Sequence, residues 1–216
     1  MGPQATRVGG SAAGTERRLV AAAERLFAEH GVDAVSLRTV MQAAGTNVAA
    51  IHYHFGSKDG LLDAVLRSRL DQVTRERDAV LLELEERAIT THDLARALVR
   101  PVVAVLGSGG DHWIRLVGHL LATGDTRLAS ISESFFRRNA TFIEVLERLS
   151  PGVPCRTLNF RLLQAMNTTL NILGDVERTR RLLGPEAETW TTDEVVADVV
   201  DLVTSVLAGP PAESIP

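Results

Sequence analysis

Apolar residues recur at helical spacing along nearly the whole 216-residue chain, and no stretch alternates apolar with polar residues as a half-buried strand would. This excludes a β-sandwich or barrel and leaves helices packed on helices. Aromatics make up only 4% of the residues, against 45% apolar overall, so Leu, Val and Ala must build the core. Aliphatic ridges of that kind suit helix packing better than strands, which favour aromatic and β-branched side chains. The expected class is all-α.

Local stop and start signals divide the pattern. A first helix spans Thr15–His30, with Leu19, Ala22, Ala23, Leu26 and Phe27 on its apolar stripe. Gly31 ends it, since glycine alone adopts a left-handed backbone cheaply. Ser36 caps a short helix, Leu37–Ala44, which Gly45 ends, and Asn47 caps a third over Val48–His54. Ser57 then caps a much longer fourth helix, carried into the eighties by Leu61, Leu62, Val65, Leu66, Leu70, Val73, Leu81 and Leu84. Further helices are expected over 92–106, 111–123, 126–149, 155–183 and 192–208, with Pro101 a kink or break in the first of these. Residues 1–14, rich in Gly, Ala and Ser, read as a disordered tail. A small helical domain over 15–75 and a larger one over 76–210 follow.

Charge is placed unevenly. Residues 1–70 hold eight Lys/Arg and six Asp/Glu, a net of +2; residues 71–216 hold fifteen and twenty-one, a net of −6; the sum is the −4 of the whole chain. A cationic head on an acidic body suits a protein that touches a polyanion at one end. Of the 23 basic residues only Lys58 is a lysine, and it opens the fourth helix. The single cysteine, Cys155, rules out an intrachain disulfide and a multi-cysteine metal site, and fits a reduced, cytoplasmic compartment. No apolar run approaches the roughly 18–20 residues that span a bilayer, and Met1–Gly14 lacks the apolar core of a signal peptide. No membrane association is expected.

The segment from Ser36 to Phe55 has the proportions of a helix-turn-helix. Val40 and Ala44 can pack on Ile51 and Phe55 across the Gly45 turn. Ala43, Ala44, Ala49 and Ala50 keep the two helices close and the recognition face slim enough for a major groove about 12 Å wide. The tract Ala-Ala-Gly-x-x-x-x-x-Ile-x-Tyr-His-Phe-x-Ser-Lys, read from Ala43 to Lys58, together with Thr15–Gly31 and the following Asp-Gly-Leu-Leu, resembles the TetR-type repressors. The resemblance implies an N-terminal three-helix helix-turn-helix domain followed by a larger helical ligand-binding and dimerisation domain. It also implies a sequence-specific DNA-binding regulator, working as a homodimer on a palindromic double-stranded operator and released by a small molecule. Carried over by position, Thr46, Asn47, Val48, Ala49 and Ala50 face the bases, Tyr53 and His54 contact phosphates or base edges, and Lys58 grips a phosphate at a helix N-terminus. Ser36 and Tyr53 serve register, while Asn47, Arg38 and His52 are the better candidates for readout. His52 stands where many such proteins carry Tyr, so which of His52 and Tyr53 points at DNA stays open. Repression or activation depends on where the operator lies.

In the body, Val195, Val196, Val199, Val200, Leu202, Val203 and Val206 make the last helix apolar on more than one face. With the helix over 155–183 it is the expected dimer surface, as a four-helix interface. Residues of unusual size or polarity within apolar stretches are candidate contacts for an apolar effector: His112, Trp113, His119, Phe135, Phe136, Phe142, Met166 and Asn167, with Asn171 one turn on. Arg115 and Arg161 could meet an anionic group. His92, His112 and His119 lack ligand spacing, so neither a metal nor any other cofactor is expected. An enzyme is the competing class, but the sequence holds no nucleophile elbow, phosphate loop or Cys/His pair. A dimeric binding protein without DNA affinity is the other alternative.

Overall fold

The computed structural model describes residues 12–85, 89–128 and 140–210, with the side chains of residues 48–50, 81, 84 and 85 outside that description. All regular structure among the described residues is helical. The chain divides into two compact units, Met1–Ser68 and Arg69–Pro216.

The first unit holds α1 (Ala12–His30), α2 (Leu37–Ala44), α3 (Val48–Phe55) and α4 (Lys58–Arg67). α1 begins at Ala12, ahead of the expected Thr15, so Ala12–Gly14 are helical rather than tail; residues 1–11 lie outside the described residues. Leu19, Ala23 and Phe27 of α1 meet Val40 and Ala44 of α2, Ile51 of α3 and Leu61, Leu62, Val65 and Leu66 of α4 in a buried core. Burying each large aliphatic side chain contributes about 1.5–3 kcal/mol, which is what lets eight-residue helices persist.

The second unit holds α5 (Leu70–Glu85), α6 (Thr91–Gly107), α7 (Asp111–Ala122), α8 (residues 140–149), α9 (Cys155–Leu173), α10 (Val176–Leu183) and α11 (Thr192–Ala208). α5 and α11 pack on α6, while α7 and α11 pack on α9. Leu94 and Leu98 of α6, Phe142 and Leu146 of α8, Leu162 and Met166 of α9, and Val199 and Val203 of α11 share one core. Thr90 and Thr191 each close a capping box, with Asp93 and Glu194. The backbone N–H and then the hydroxyl of Thr191 hold the Glu194 carboxyl below its ordinary pKa.

Three expected helices are interrupted. The long fourth helix ends at Arg67: the Ser68 hydroxyl donates to the Val65 carbonyl at 2.7 Å, and a new helix starts at Leu70. Arg69 between them reaches across to the end of α6, donating to the Ser108 hydroxyl at 3.2 Å and the Gly109 carbonyl at 3.1 Å. The units divide in this break, ahead of the boundary expected after residue 75. The helix expected over 155–183 stops at Gly174, where a Cβ would stand 3.0 Å from the Arg115 backbone of α7. Asp175 then caps α10 by accepting from the Arg178 N–H at 3.0 Å. The helix expected over 126–149 opens as a 3-10 turn, Thr126–Leu128, and is helical at 140–149, with 129–139 outside the described residues. Pro101 does not end α6.

Candidate functional site

The helix-turn-helix is framed by caps. Ser36 accepts from the Thr39 N–H at 3.1 Å to start α2, and Gly45 ends it at φ 61°, where any side chain would be strained. Ser57 accepts from the Gly60 N–H at 3.1 Å to start α4. The turn before it is tight: the Ser57 N–H donates to the Phe55 carbonyl at 2.7 Å. A Cβ on Gly60 would lie 2.1 Å from that same oxygen, so glycine is required there for space rather than for backbone angle. Gly60 is the glycine of the Asp-Gly-Leu-Leu that carries part of the resemblance, but its spatial requirement was not read from the sequence.

Ile51 points into the core and Phe55 is half-buried, which leaves the opposite side of α3 outward. Tyr53 is 81% exposed. His52 is also exposed, but its Nδ1 lies 3.2 Å from the Gly56 carbonyl, folded back on the end of its own helix. Neither ring points inward, and Tyr53 stands further out. His54 departs from the expectation: its side chain is 11% exposed and its Nδ1 lies 3.8 Å from Glu16 of α1. It is turned into the domain because it sits three residues after buried Ile51, on the same face of α3. Asn47 and Arg38 are exposed, and Thr46 is half-buried with no hydrogen-bond partner for its Oγ1. Val48, Ala49 and Ala50 open α3, with their side chains outside the described residues. Lys58 is the first residue of α4, and its Nζ donates to the Asp33 carbonyl at 3.2 Å. One further cation belongs to this group. The Arg18 guanidinium lies beside the Gly45 turn, 3.9 Å from where a Cβ there would stand. Only the net charge of the head hinted at it.

In the second unit a partly open space of about 50 Å³ lies between α5, α6, α7 and α9, lined among the described residues by Val73, Arg77, Leu98, Pro101, Val102, Trp113, Val117, Met166, Thr169 and Leu170. Trp113 and Met166 are the expected candidates found there. Four others do not line it. His112 pairs with Asp111 at 3.4 Å, and His119 is exposed, because the cavity face of α7 is the one carrying Trp113 and Val117. Phe142 is fully buried in the core, with the Arg77 guanidinium 5.0 Å from its ring centroid. Asn167 is half-buried elsewhere on α9, and Asn171 donates back to its carbonyl at 2.9 Å. Phe135 and Phe136 lie outside the described residues.

The two arginines considered for anion binding hold the fold instead. Arg115 donates to the Gly174 carbonyl at 3.2 Å and pairs with Asp175 at 3.3 Å, and Arg161 donates to the Ala208 carbonyl at 2.9 Å at the end of α11. Arg77 and Thr169 were missed. Arg77 reads as a solvated arginine in a charged stretch, and only packing shows that it is 4% exposed. A more open cleft of about 300 Å³ lies between α5, α6 and α11, where Arg100 is held by Glu83 at 2.8 Å and Glu76 at 3.6 Å. Among the described residues no three His, Cys, Asp or Glu gather to hold a metal, and no helix is long and apolar enough to cross a membrane.

The family model of bacterial regulatory proteins of the tetR family matches residues 19–65, and that of the tetracyclin repressor-like C-terminal domain matches residues 96–205. The chain belongs to the TetR family. The resemblance read from Ala43–Lys58 therefore holds for the body as well as the head, and the family is one of transcriptional regulators rather than enzymes. The HTH-type transcriptional repressor KstR2 of Rhodococcus jostii (strain RHA1) is 36% identical over 76 residues, 35% of this chain and 37% of that protein. The HTH-type transcriptional regulator BetI of Rhizobium meliloti (strain 1021) is 33% identical over 84 residues, 39% of each chain. Against these relatives the chain thus spans well under half of their length. Among solved structures, a probable transcriptional regulatory protein, RHA5900, superposes with a TM-score of 0.61 at 22% identity, over 90% of this chain and all of that one. The TetR family regulator PfmR of Thermus thermophilus superposes at 0.55 and 22% identity, over 87% and 97%. At such identity these two bear on the fold alone.

Proposed function

We propose that this TetR-family chain is a homodimeric transcriptional repressor that binds a palindromic operator through α2 and α3 and leaves it when a small, largely apolar effector occupies the cavity of the body. The observation that carries the reading is the outward side of α3. Tyr53 is left 81% exposed on a helix whose other side is buried, touching the His54 ring edge-on at 5.1 Å, with Lys58 at the adjoining helix N-terminus. That exposure supports a contact with a polyanion.

In this reading Lys58, Tyr53 and Ser36 fix register on phosphates, helped by Arg18. Asn47, Arg38, His52 and Thr46 read base edges, with Val48, Ala49 and Ala50 against the groove floor. His54 is assigned to the fold. Action on the chromosome puts the protein in the cytoplasm. The dimer forms through α9 and α11, where Phe160 is 62% exposed, Leu163 40% and Leu202 46%. Exposed side chains of this size beside a packed helix pair call for a partner surface. In the dimer the two recognition helices must stand about one DNA turn apart, so an effector that alters their spacing costs affinity.

Fluorescence anisotropy with the duplex upstream of the chain's own gene tests both halves. Salt-sensitive binding is expected, weakened at least about tenfold by Tyr53→Ala. The double variant Phe160→Glu, Leu202→Glu should elute as a monomer and lose operator binding. Absence of salt-sensitive binding to any duplex from that region would overturn the repressor reading.

A further inference from the structure

The outward side of α3 carries a ring whose direction the core does not decide. Tyr53 stands far into solvent, where a side chain samples several rotamers, and ordering it against a partner costs affinity. Among the described residues the ring packed on it is that of His54, edge-on, with centroids 5.1 Å apart and planes at 84°. His54 is itself restrained. Its side chain is 11% exposed, its ring lies 5.8 Å from that of Phe55, and its Nδ1 lies 3.8 Å from the Glu16 carboxylate near the start of α1. At 3.8 Å no hydrogen bond forms, but the carboxylate favours the forms of the imidazole that carry a proton on Nδ1 and draws that edge toward α1. Glu16 is also an anion in a unit read as meeting a polyanion, where its charge by itself works against binding.

We propose that Glu16 and His54 are positioning residues for DNA binding. Glu16 fixes the His54 ring, and the His54 ring holds Tyr53 in the direction in which it meets a phosphate; neither Glu16 nor His54 touches the duplex. This rests on the reading of Tyr53 as a DNA contact and adds how its direction is set. The contacts run from α1 to the outward side of α3, so the first helix, which supplies no part of the helix-turn-helix, takes part in recognition. A Tyr53 ring held in place before binding gives up less rotamer freedom on the duplex, and the gain appears as affinity.

Tyr53 is the one tyrosine of the chain, so selective isotope labelling of tyrosine rings gives a single set of signals that reports this site alone. In Glu16→Gln those signals are expected to shift, as the His54 ring turns and its ring current moves across Tyr53. The unfolding midpoint should hardly change, since the Glu16 side chain is 53% exposed. Operator binding by Glu16→Gln is expected to weaken about threefold. Charge alone predicts the opposite sign, because removing an anion from a surface that meets DNA strengthens binding. In a Tyr53→Ala background the same substitution should no longer weaken binding, which a double-mutant cycle reads directly. Tyr53 signals unmoved by Glu16→Gln, binding unchanged or tightened in the parent, or a threefold loss that persists without Tyr53 would overturn the proposal. The ring signals are recorded without DNA. If no duplex binds, the repressor reading falls, and those signals alone decide whether Glu16 braces Tyr53.

Discussion

Both units cap their helices with hydrogen bonds between residues three apart, Ser36 to Thr39 and Ser57 to Gly60 in the head and Thr90 to Asp93 and Thr191 to Glu194 in the body. The body adds guanidinium bonds that span 39 to 59 positions, against 25 for Lys58 to Asp33 in the head. Arg69 reaches the end of α6, Arg115 the end of α9 and Arg161 the end of α11. A unit held mainly by caps and short-range ties presents its outward side chains from a fixed frame, which suits reading a regular duplex. A unit held by long-range clamps around a small cavity has walls that can shift together. The difference matches the division of labour within the TetR family, and it can be broken from either side.

The largest effect is expected in the head. Gly60→Ala drives a methyl onto the Phe55 carbonyl, 2.1 Å away, and backbone cannot step aside as a side chain can. It should cost about 3 kcal/mol, read as an early unfolding transition with loss of operator binding while the body melts unchanged. Gly174→Ala tests the body in the same way. Its methyl would meet the Leu170 carbonyl at 2.7 Å and the Arg115 backbone at 3.0 Å, forcing α7 from α9. About 1–2 kcal/mol is expected by chemical denaturation, with the helix-turn-helix amides keeping their hydrogen-exchange protection. If either glycine variant destabilised both units equally, the contrast between local and long-range support would fail.

Lys58→Ala should hardly move the unfolding midpoint, since its one bond to Asp33 lies at the surface. It should weaken binding to all duplexes alike and lower the salt slope by about one. An unchanged slope would take Lys58 off the phosphate list. The smallest effect belongs to Asp125. The hydrogen bond from Arg127 holds its carboxyl below the ordinary 3.8, so the pair stabilises the fold above that value and is lost as the pH falls through the lower folded-state pKa. Asp125→Asn should cost about 0.5–1 kcal/mol at pH 7, with the gap to the parent closing as acid unfolding is followed downward from about pH 5.

The legibility of each part follows the same contrast. Ser36, Gly45 and Ser57 stand in the structure where local chemistry put them, because caps and turns are decided within four residues. The long fourth helix misled for an instructive reason. Its apolar period does continue from Leu61 to Val73, yet Arg69 is drawn away to Ser108 and Gly109, and a period cannot register that pull. That His54 turns toward Glu16 was not legible, because a family pattern gives residue types and not the side of the helix that Glu16 occupies. In the body Trp113 and Met166, singled out by their size, line the cavity, whereas His112 and His119 share α7 with Trp113 but not its cavity face.

What the sequence determined by itself is therefore the helical class, the capped frame of α2 to α4 and the family, since each rests on spacing along the chain. Only the tertiary structure decided that Gly174 is a close approach, that Arg115 and Arg161 are clamps, and that Arg77 is a buried cation. Those properties depend on which distant backbone or ring arrives beside a residue, and that is settled when the core closes.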